Sequence, residues 1–385
     1  MARYKLEDIF DLQMGKTPSR NNSEYWNTCD NKWISIGDLT QAGKYITDTK
    51  EYLSDVAVEE SGIKIIPANT VVMSFKLSIG KTAITSEDMY SNEAIMAFHD
   101  KHVVDLMPEY IYYMFKYKDW DEGTNKAVMG KTLNKATLSK VEIEVCPLEK
   151  QKEIVELLDK VSTVLDGRNE ELKKLDELIK ARFVEMFGRP ALNDKKWEEY
   201  TLAEVCNKIT DGEHKNPEFV EEGVPMVMAN NVQDHGVTFE GCRYITEDDY
   251  KKFSKKCRPE KGDVLLVSRG ATIGRCCENN KDEEFALMGS VILMKKKEII
   301  ASCYLVNWLK NDDIRPLIYT TSAASAQQAI YMKDLSTKRI MLPPMDLQNQ
   351  FSEFVKQVDK SKVVVQESLD KEQMLFDSLM QEYFG

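Results

Sequence analysis

The tripeptide Gly-Lys-Thr, the core of a phosphate-binding loop, occurs three times, at Gly15-Lys16-Thr17, Gly80-Lys81-Thr82 and Gly130-Lys131-Thr132. A nucleotide cradle also needs a glycine five residues earlier, so that the chain can turn and aim backbone N–H groups at phosphate oxygens. Those positions hold Phe10, Phe75 and Asn125, so the NTPase reading fails at all three. An amino-methylating enzyme would need an acidic or amide residue before Pro-Pro-aromatic. The one Pro-Pro, Pro343-Pro344, lies between Leu342 and Met345, and no glycine-rich strand-to-helix turn offers a cofactor site. The eight cysteines (Cys29, Cys146, Cys206, Cys242, Cys257, Cys276, Cys277 and Cys303) contain no Cys-x-x-Cys pair and read as reduced, partly buried thiols. His99 and His102 are spaced like a helical pair but flank Asp100 and Lys101, while His214 and His235 are isolated, so no metal site is expected. No catalytic residue is assigned.

What remains are loops rich in groups that bind phosphates and base edges. Lys16, Thr17, Ser19 and Arg20 combine two cations and two hydroxyls in a turn that exposes backbone N–H groups. Lys76, Ser78 and Lys81 form a second such loop, and Lys131 and Lys135 belong to a third. In the other half of the chain the counterparts are His214 and Lys215, then Ser268, Arg269, Thr272 and Arg275, then Gln327 and Gln328. Asn230, Asn231 and Gln233 add amides. Arg suits guanine and Asn or Gln suits adenine in the major groove, so these residues are the candidate DNA contacts.

The elements that must position these loops follow from a tandem repeat. Tyr383-Phe384-Gly385 answers Met186-Phe187-Gly188 at an offset of 197 residues, which also aligns Leu138-Ser139 with Leu335-Ser336, Pro147 with Pro344 and Gln151 with Gln348. Upstream, Tyr4 to Ile9 corresponds to Tyr200 to Val205, and Ser78-Ile79-Gly80-Lys81 to Thr272-Ile273-Gly274-Arg275. The interior of each copy has diverged more than its flanks, as a shared frame with two specificities would.

Each copy ends in a helical pattern. Ile154, Leu158, Val161, Leu165, Leu172 and Ile179 recur at alternating spacings of three and four, with Arg168 and Arg182 as interruptions. Phe351, Val355, Val358, Leu369 and Phe376 continue the pattern in the second copy, with Lys362 and Glu372 interposed. Pro147 suits a first turn and Gly188 a stop, giving helices of about 40 residues, roughly 60 Å long. One such helix alone would expose its apolar seam, so the two are expected to pair as an antiparallel coiled coil with pseudo-twofold symmetry. The globular parts read as α+β with mixed sheets. Strands are expected at Thr70 to Phe75 and Asp263 to Ser268, and short buried helices at Pro108 to Phe115 and Cys303 to Leu309. The polar stretch Arg189 to Lys196 reads as the interdomain linker. The boundaries are a first domain at 1–146, a helix at 147–188, a second domain at 189–343 and a helix at 344–385.

A chain of 385 residues, 42% hydrophobic and 30% charged, has room for two cores. Its apolar runs are too short to span a bilayer and no signal-peptide core follows Met1, so a cytoplasmic protein is expected. The net charge of −12 opposes a simple DNA-binding domain unless basic residues cluster locally while acids collect on the helices.

Two diverged globular regions, each closing in Pro147-Leu148-Glu149-Lys150-Gln151 or Pro344-Met345-Asp346-Leu347-Gln348 before a long helix, resemble the specificity subunits of Type I restriction and modification systems. Gly15 to Arg20, Trp33-Ile34-Ser35-Ile36-Gly37-Asp38 and Ser78 to Lys81 resemble the target recognition domains of that family, and the likeness covers the whole chain. The second copy departs from it, with Asp211-Gly212-Glu213-His214 in place of the Gly-Lys-Thr-Pro turn. The resemblance implies that each domain reads one half of a bipartite site in double-stranded DNA. It implies helices that set the spacer and hold methyltransferase subunits, two of them, with restriction subunits in the full complex. S-adenosylmethionine and ATP would be bound by those partners, not by this chain. The competing readings are a tandem-repeat scaffold that binds only proteins and a DNA-modifying enzyme of uncharacterised type.

Overall fold

The computed structural model describes residues 2–76, 78–120, 133–321 and 328–385. The chain forms two compact units, one of residues 1–168 with 368–385, the other of residues 169–367. The divisions fall inside the two long helices, Leu148–Phe187 and Met345–Phe384.

In the first unit a five-stranded sheet runs in the order Phe10–Met14, Ile95–Asp100, Val71–Ser74, Thr82–Thr85 and Tyr45–Ile46, the last pair parallel. Val71 and Met73 point toward the buried helix Pro108–Tyr117, whereas Val72 faces a second cluster with Ile34, Leu39 and Ile95. Both faces are covered, which is why this strand is apolar throughout rather than alternating. The second unit repeats the scheme. Its strands Cys206–Asp211, Val291–Lys296, Val264–Val267 and Cys276–Glu278 stand in the matching order. Val264 and Leu266 pack toward the helix Ser302–Lys310, while Leu265 and Val267 join the opposite cluster. A smaller sheet in each unit carries one parallel pair, Trp33–Ile34 with Tyr90–Ser91 and Met226–Val227 with Ala286–Leu287. The mixed α+β character expected from sequence is therefore present in both copies.

Each domain is fastened to its helix by the same device. The wholly buried Gln151 accepts a hydrogen bond from Met107 N at 2.9 Å and donates to the carbonyls of Asp105 (2.9 Å) and Cys146 (2.8 Å). Gln348, equally buried, accepts from Ala301 N at 2.8 Å and donates to Ile299 (3.3 Å) and Pro343 (2.8 Å). A tyrosine hydroxyl from each buried helix adds a second tie, Tyr110 to the Glu144 carbonyl at 3.2 Å and Tyr304 to that of Met341 at 2.7 Å. Deep burial of so many polar groups is tolerable because each finds a partner.

Within each unit the start of one long helix lies antiparallel to the end of the other. In the first, Ile154 and Leu158 share a core with Met380 and Phe384; in the second, Phe351 meets Phe183 and Phe187 with ring centroids 5.4 Å apart. Of the expected seam residues, Ile154, Leu158, Leu165, Ile179, Phe351, Val355 and Val358 are buried, and Val161, Leu172, Leu369 and Phe376 are half-buried. The polar interruptions face each other: Arg168 Nε lies 3.5 Å from Glu372 Oε1, and Lys362 Nζ 2.7 Å from Asp176 Oδ1.

One expectation is corrected. His99 and His102 are not on a helix: His99 ladders with Asp11 in a strand, and His102 sits in the turn beyond with φ of 54°. The stretch Arg189 to Lys196, read from the sequence as the interdomain linker, is a run of turns folded back on the helix end. Gly188 (φ 82°) stops the helix, Lys195 Nζ donates to the Met186 carbonyl at 3.1 Å, and the Trp197 indole donates to that of Phe187 at 2.9 Å.

Candidate nucleic-acid interface

The first candidate loop begins where Gly15 is pressed against the chain: a Cβ there would lie 2.3 Å from the Ser91 carbonyl oxygen. Gly15 N donates to Ile95 O at 3.2 Å and Lys16 N to Ser91 O at 2.8 Å. Gly212 is pressed in the same way, 2.1 Å from the Leu287 oxygen, with Gly212 N on Val291 O at 3.2 Å and Glu213 N on Leu287 O at 2.8 Å. One backbone frame thus launches both loops.

The side chains it launches differ. In the first unit Lys16 Nζ bonds the Ser61 carbonyl at 2.5 Å, and Thr17 donates to Glu93, an interaction that, as its leading cause, lowers the Glu93 carboxyl below its ordinary value. Arg20 stacks 3.8 Å above Trp26 and 4.8 Å from Trp33 while it forks onto Glu51, and exposed Ser19 gives its carbonyl to the Trp26 indole at 3.0 Å. In the second unit His214 Nε2 lies 2.6 Å from Asp211 Oδ2 and Lys256 Nζ donates to Asp211 Oδ1 at 2.7 Å. Burial alone would raise the Asp211 carboxyl, but the bonds from Lys256 and His214 outweigh it and hold it below the ordinary range. Lys215 is exposed beside this cluster.

The second loop is also repeated. Gly80 N donates to Ser74 O at 2.9 Å and Ser74 N to Lys81 O at 2.9 Å; Gly274 N donates to Val267 O at 2.9 Å and Val267 N to Arg275 O at 2.8 Å. Ser78 and Lys81 are exposed, and Lys76 Nζ lies 5.1 Å over the Phe75 ring. Arg269 is exposed, Thr272 half-buried, and the half-buried Arg275 donates to Gln233 Oε1 at 3.3 Å.

Elsewhere the candidates disperse. Lys135 opens a short helix (Lys135–Leu138) and is exposed, as are Asn230 and Gln328. Asn231 and Ser268 point inward, contrary to a contact role: Asn231 Nδ2 donates to Glu240 O at 3.1 Å, and Ser268 Oγ to Ser290 O at 3.0 Å. Lys131 and Gln327 lie outside the described residues. Sequence reasoning missed Trp26 and Glu51, which hold Arg20, and Lys256, which braces the Asp211 that holds His214; the pair Trp26 and Trp33, seven residues apart beside a polar loop, was the available signal.

The second unit also holds a groove of about 730 Å³ between Ala271–Arg275, the helix Ser302–Lys310 and both long helices. Lys310 Nζ meets Asp234 Oδ1 on its wall at 2.9 Å. Burial raises the carboxyls of Glu278 and Asp359, which also line it. Among the described residues no cluster of His, Cys, Asp or Glu is placed to hold a metal ion, and no helix is long and apolar enough to cross a membrane.

The two copies thus share one backbone frame and carry different sets of polar loops on it. The sequence pattern of the Type I restriction modification DNA specificity domain matches residues 1–176 and again 194–371, and the chain belongs to that family. It is 24% identical over 375 residues to the Type I restriction enzyme MjaIX specificity subunit of Methanocaldococcus jannaschii, spanning 91% of this chain and 85% of that one. It is 29% identical over 187 residues to the EcoR124I/EcoR124II specificity subunit of Escherichia coli, 46% of this chain and 45% of the relative. The fold matches the Type I restriction-modification S subunit from M. genitalium with a TM-score of 0.54 and 14% identity, covering 100% of this chain and 96% of that one. A chain from a study of assembly and conformational transition of the type I R-M system matches with a TM-score of 0.60 and 17% identity, covering 100% and 97%.

Proposed function

We propose that this chain is the sequence-specific, non-catalytic DNA-reading subunit of a Type I restriction-modification complex. Residues 1–146 and 189–343 are the two target recognition domains, each reading one half of a bipartite site, and the helices at 147–188 and 344–385 set the spacer and dock the methyltransferase subunits. Methylation with S-adenosylmethionine, and ATP-driven cleavage by restriction subunits, belong to partners in the cytoplasm. The observation that carries the reading is the shared backbone frame at Gly15 and Gly212, from which different side chains are presented. Two half-sites of different sequence require that combination. Lys16, Arg20, Lys81, Arg269 and Arg275 are the cations assigned to the DNA side, and partner subunits supply further basic surface around a chain of net charge −12.

Mapping methylated bases in cells that express this chain with its methyltransferase tests the reading, and a motif of two short halves around a fixed gap is expected. Removing one heptad from both helices shortens them by roughly 10 Å, about three base pairs. An unchanged gap would defeat the ruler; methylation without a bipartite motif would defeat the reading itself.

A further inference from the structure

The repeated Ile-Gly-basic loop has a second anchor in each unit, which comes from a part of the chain where the two copies do not align. A Cβ on Gly80 would lie 3.0 Å from Trp120 Cδ1, and one on Gly274 would lie 2.1 Å from the Tyr319 hydroxyl oxygen. Both glycines are left-handed, with φ of 86° and 81°. Trp120 follows the helix Pro108–Tyr117 by three residues, whereas Tyr319 follows Ser302–Lys310 by nine. The two units thus bring an aromatic ring to the same glycine by unrelated routes.

Each ring is itself held. The Trp120 indole donates to Phe115 O at 2.8 Å and packs edge-on to the Phe115 ring, centroids 5.2 Å apart. The Tyr319 hydroxyl donates to Ile273 O at 3.3 Å and accepts from Arg315 Nε at 3.1 Å. Ile79 and Ile273, one residue before the glycines, pack on the same cores as these rings. The isoleucine pins one side of the turn and the ring the other, so the basic residue that follows leaves the turn in a fixed direction.

We propose that Trp120 and Tyr319 are positioning residues for base reading, each presenting the Lys81 or Arg275 loop of its own unit and so governing one half-site alone. This rests on the DNA-reading function proposed above. A ring that merely filled core volume would, when removed, destabilise its own unit and weaken binding to specific and non-specific DNA alike. A positioning ring relaxes discrimination at the half-site of its own compact unit and leaves non-specific binding intact.

The test uses the full complex of this chain with its methyltransferase subunits, comparing methylated motifs and DNA affinity for the wild type, Trp120→Ala, Trp120→Phe, Tyr319→Ala and Tyr319→Phe. The alanine variants are expected to lose at least about fivefold in discrimination at positions of one half-site, a different half for each, with binding to non-specific DNA unchanged. Tyr319→Phe, which keeps the ring but loses both hydroxyl bonds, should fall between wild type and alanine, and Trp120→Phe should recover most of the discrimination. These phenylalanine variants read the effect even where an alanine variant fails to fold. Equal relaxation of both halves, or unchanged motifs in every variant, overturns the positioning role while the wild-type bipartite motif leaves the general function standing. A wild-type complex with no bipartite motif overturns both.

Discussion

In the first unit the recognition domain closes directly on its helix: Lys44 forks onto Asp159 at 2.6 and 2.7 Å, and the Tyr113 hydroxyl donates to the same carboxylate at 2.5 Å. Lys44 precedes the strand Tyr45–Ile46, which lies parallel to the sheet edge. In the second unit a hairpin, Val232–Gln233 with Gly236–Val237, takes the comparable place; its Asp234 reaches Lys310 on the buried helix but bonds neither long helix. At the helix position equivalent to Asp159 stands Lys356, exposed and ion-paired with Glu353 of its own helix at 2.7 Å. Asn307 lines the groove near where Tyr113 fills the first unit. Two copies of one unit have therefore kept the latch at the helix start and changed the closure about two turns beyond it.

The strongest way to break that comparison is to attack the shared latch. Gln151→Ala strands one buried N–H and two carbonyls, and Gln348→Ala does the same in the other unit, so each should cost about 3 kcal/mol. Urea denaturation of the two variants should give losses equal within about 1 kcal/mol, the scatter expected of such bonds. A large loss at Gln151 with none at Gln348 would mean that the second domain is held by something else.

Much of this frame was readable from residue order alone. The helix seam showed because a period near 3.6 repeated over eleven turns cannot be confused with a strand, and Pro147 and Gly188 mark its ends by backbone chemistry. The strands near Val71 and Val264 showed because both faces are buried. The latches did not show, since Gln151 is polar by type and is accommodated in the core by partners 44 and 46 positions away as well as by Cys146. Loop side chains are hidden for the same reason. Asn231 and Ser268 have the side chains of a base reader, yet the turn at Met228 and the Ser290 carbonyl claim them. Arg20 is clamped by Trp26, which the nearby tryptophan pair signalled, and by Glu51, 31 positions away, which no local spacing announces.

A smaller effect sharpens the difference in closure. Asp159→Asn weakens three bonds at a partly buried carboxylate and should cost about 1–2 kcal/mol, whereas Lys356→Gln at the equivalent position should cost less than about 0.5 kcal/mol, because exposed pairs within one helix contribute little. Denaturation curves for both variants check this. Equal losses would show that the second domain leans on its helix through Lys356 as the first does through Asp159.

The smallest effect concerns acid. Asp211 is held below the ordinary carboxylate value in the folded chain, so its bonds to Lys256 and His214 contribute stability above the carboxylate range. That contribution is lost as pH falls through the depressed folded value. In the first unit the residue before Gly15 is Met14, which cannot titrate, and the carboxyl held low beside that loop, Glu93, takes its bond from the Thr17 side chain and not from two basic groups as Asp211 does. Hydrogen-exchange protection at Gly212 to Lys215 should therefore fall in acid ahead of that at Gly15 to Arg20, and Asp211→Asn should remove the difference. If the two loops lose protection together in the wild type, the frame alone sets their rigidity and the side chains that distinguish the copies contribute nothing to it.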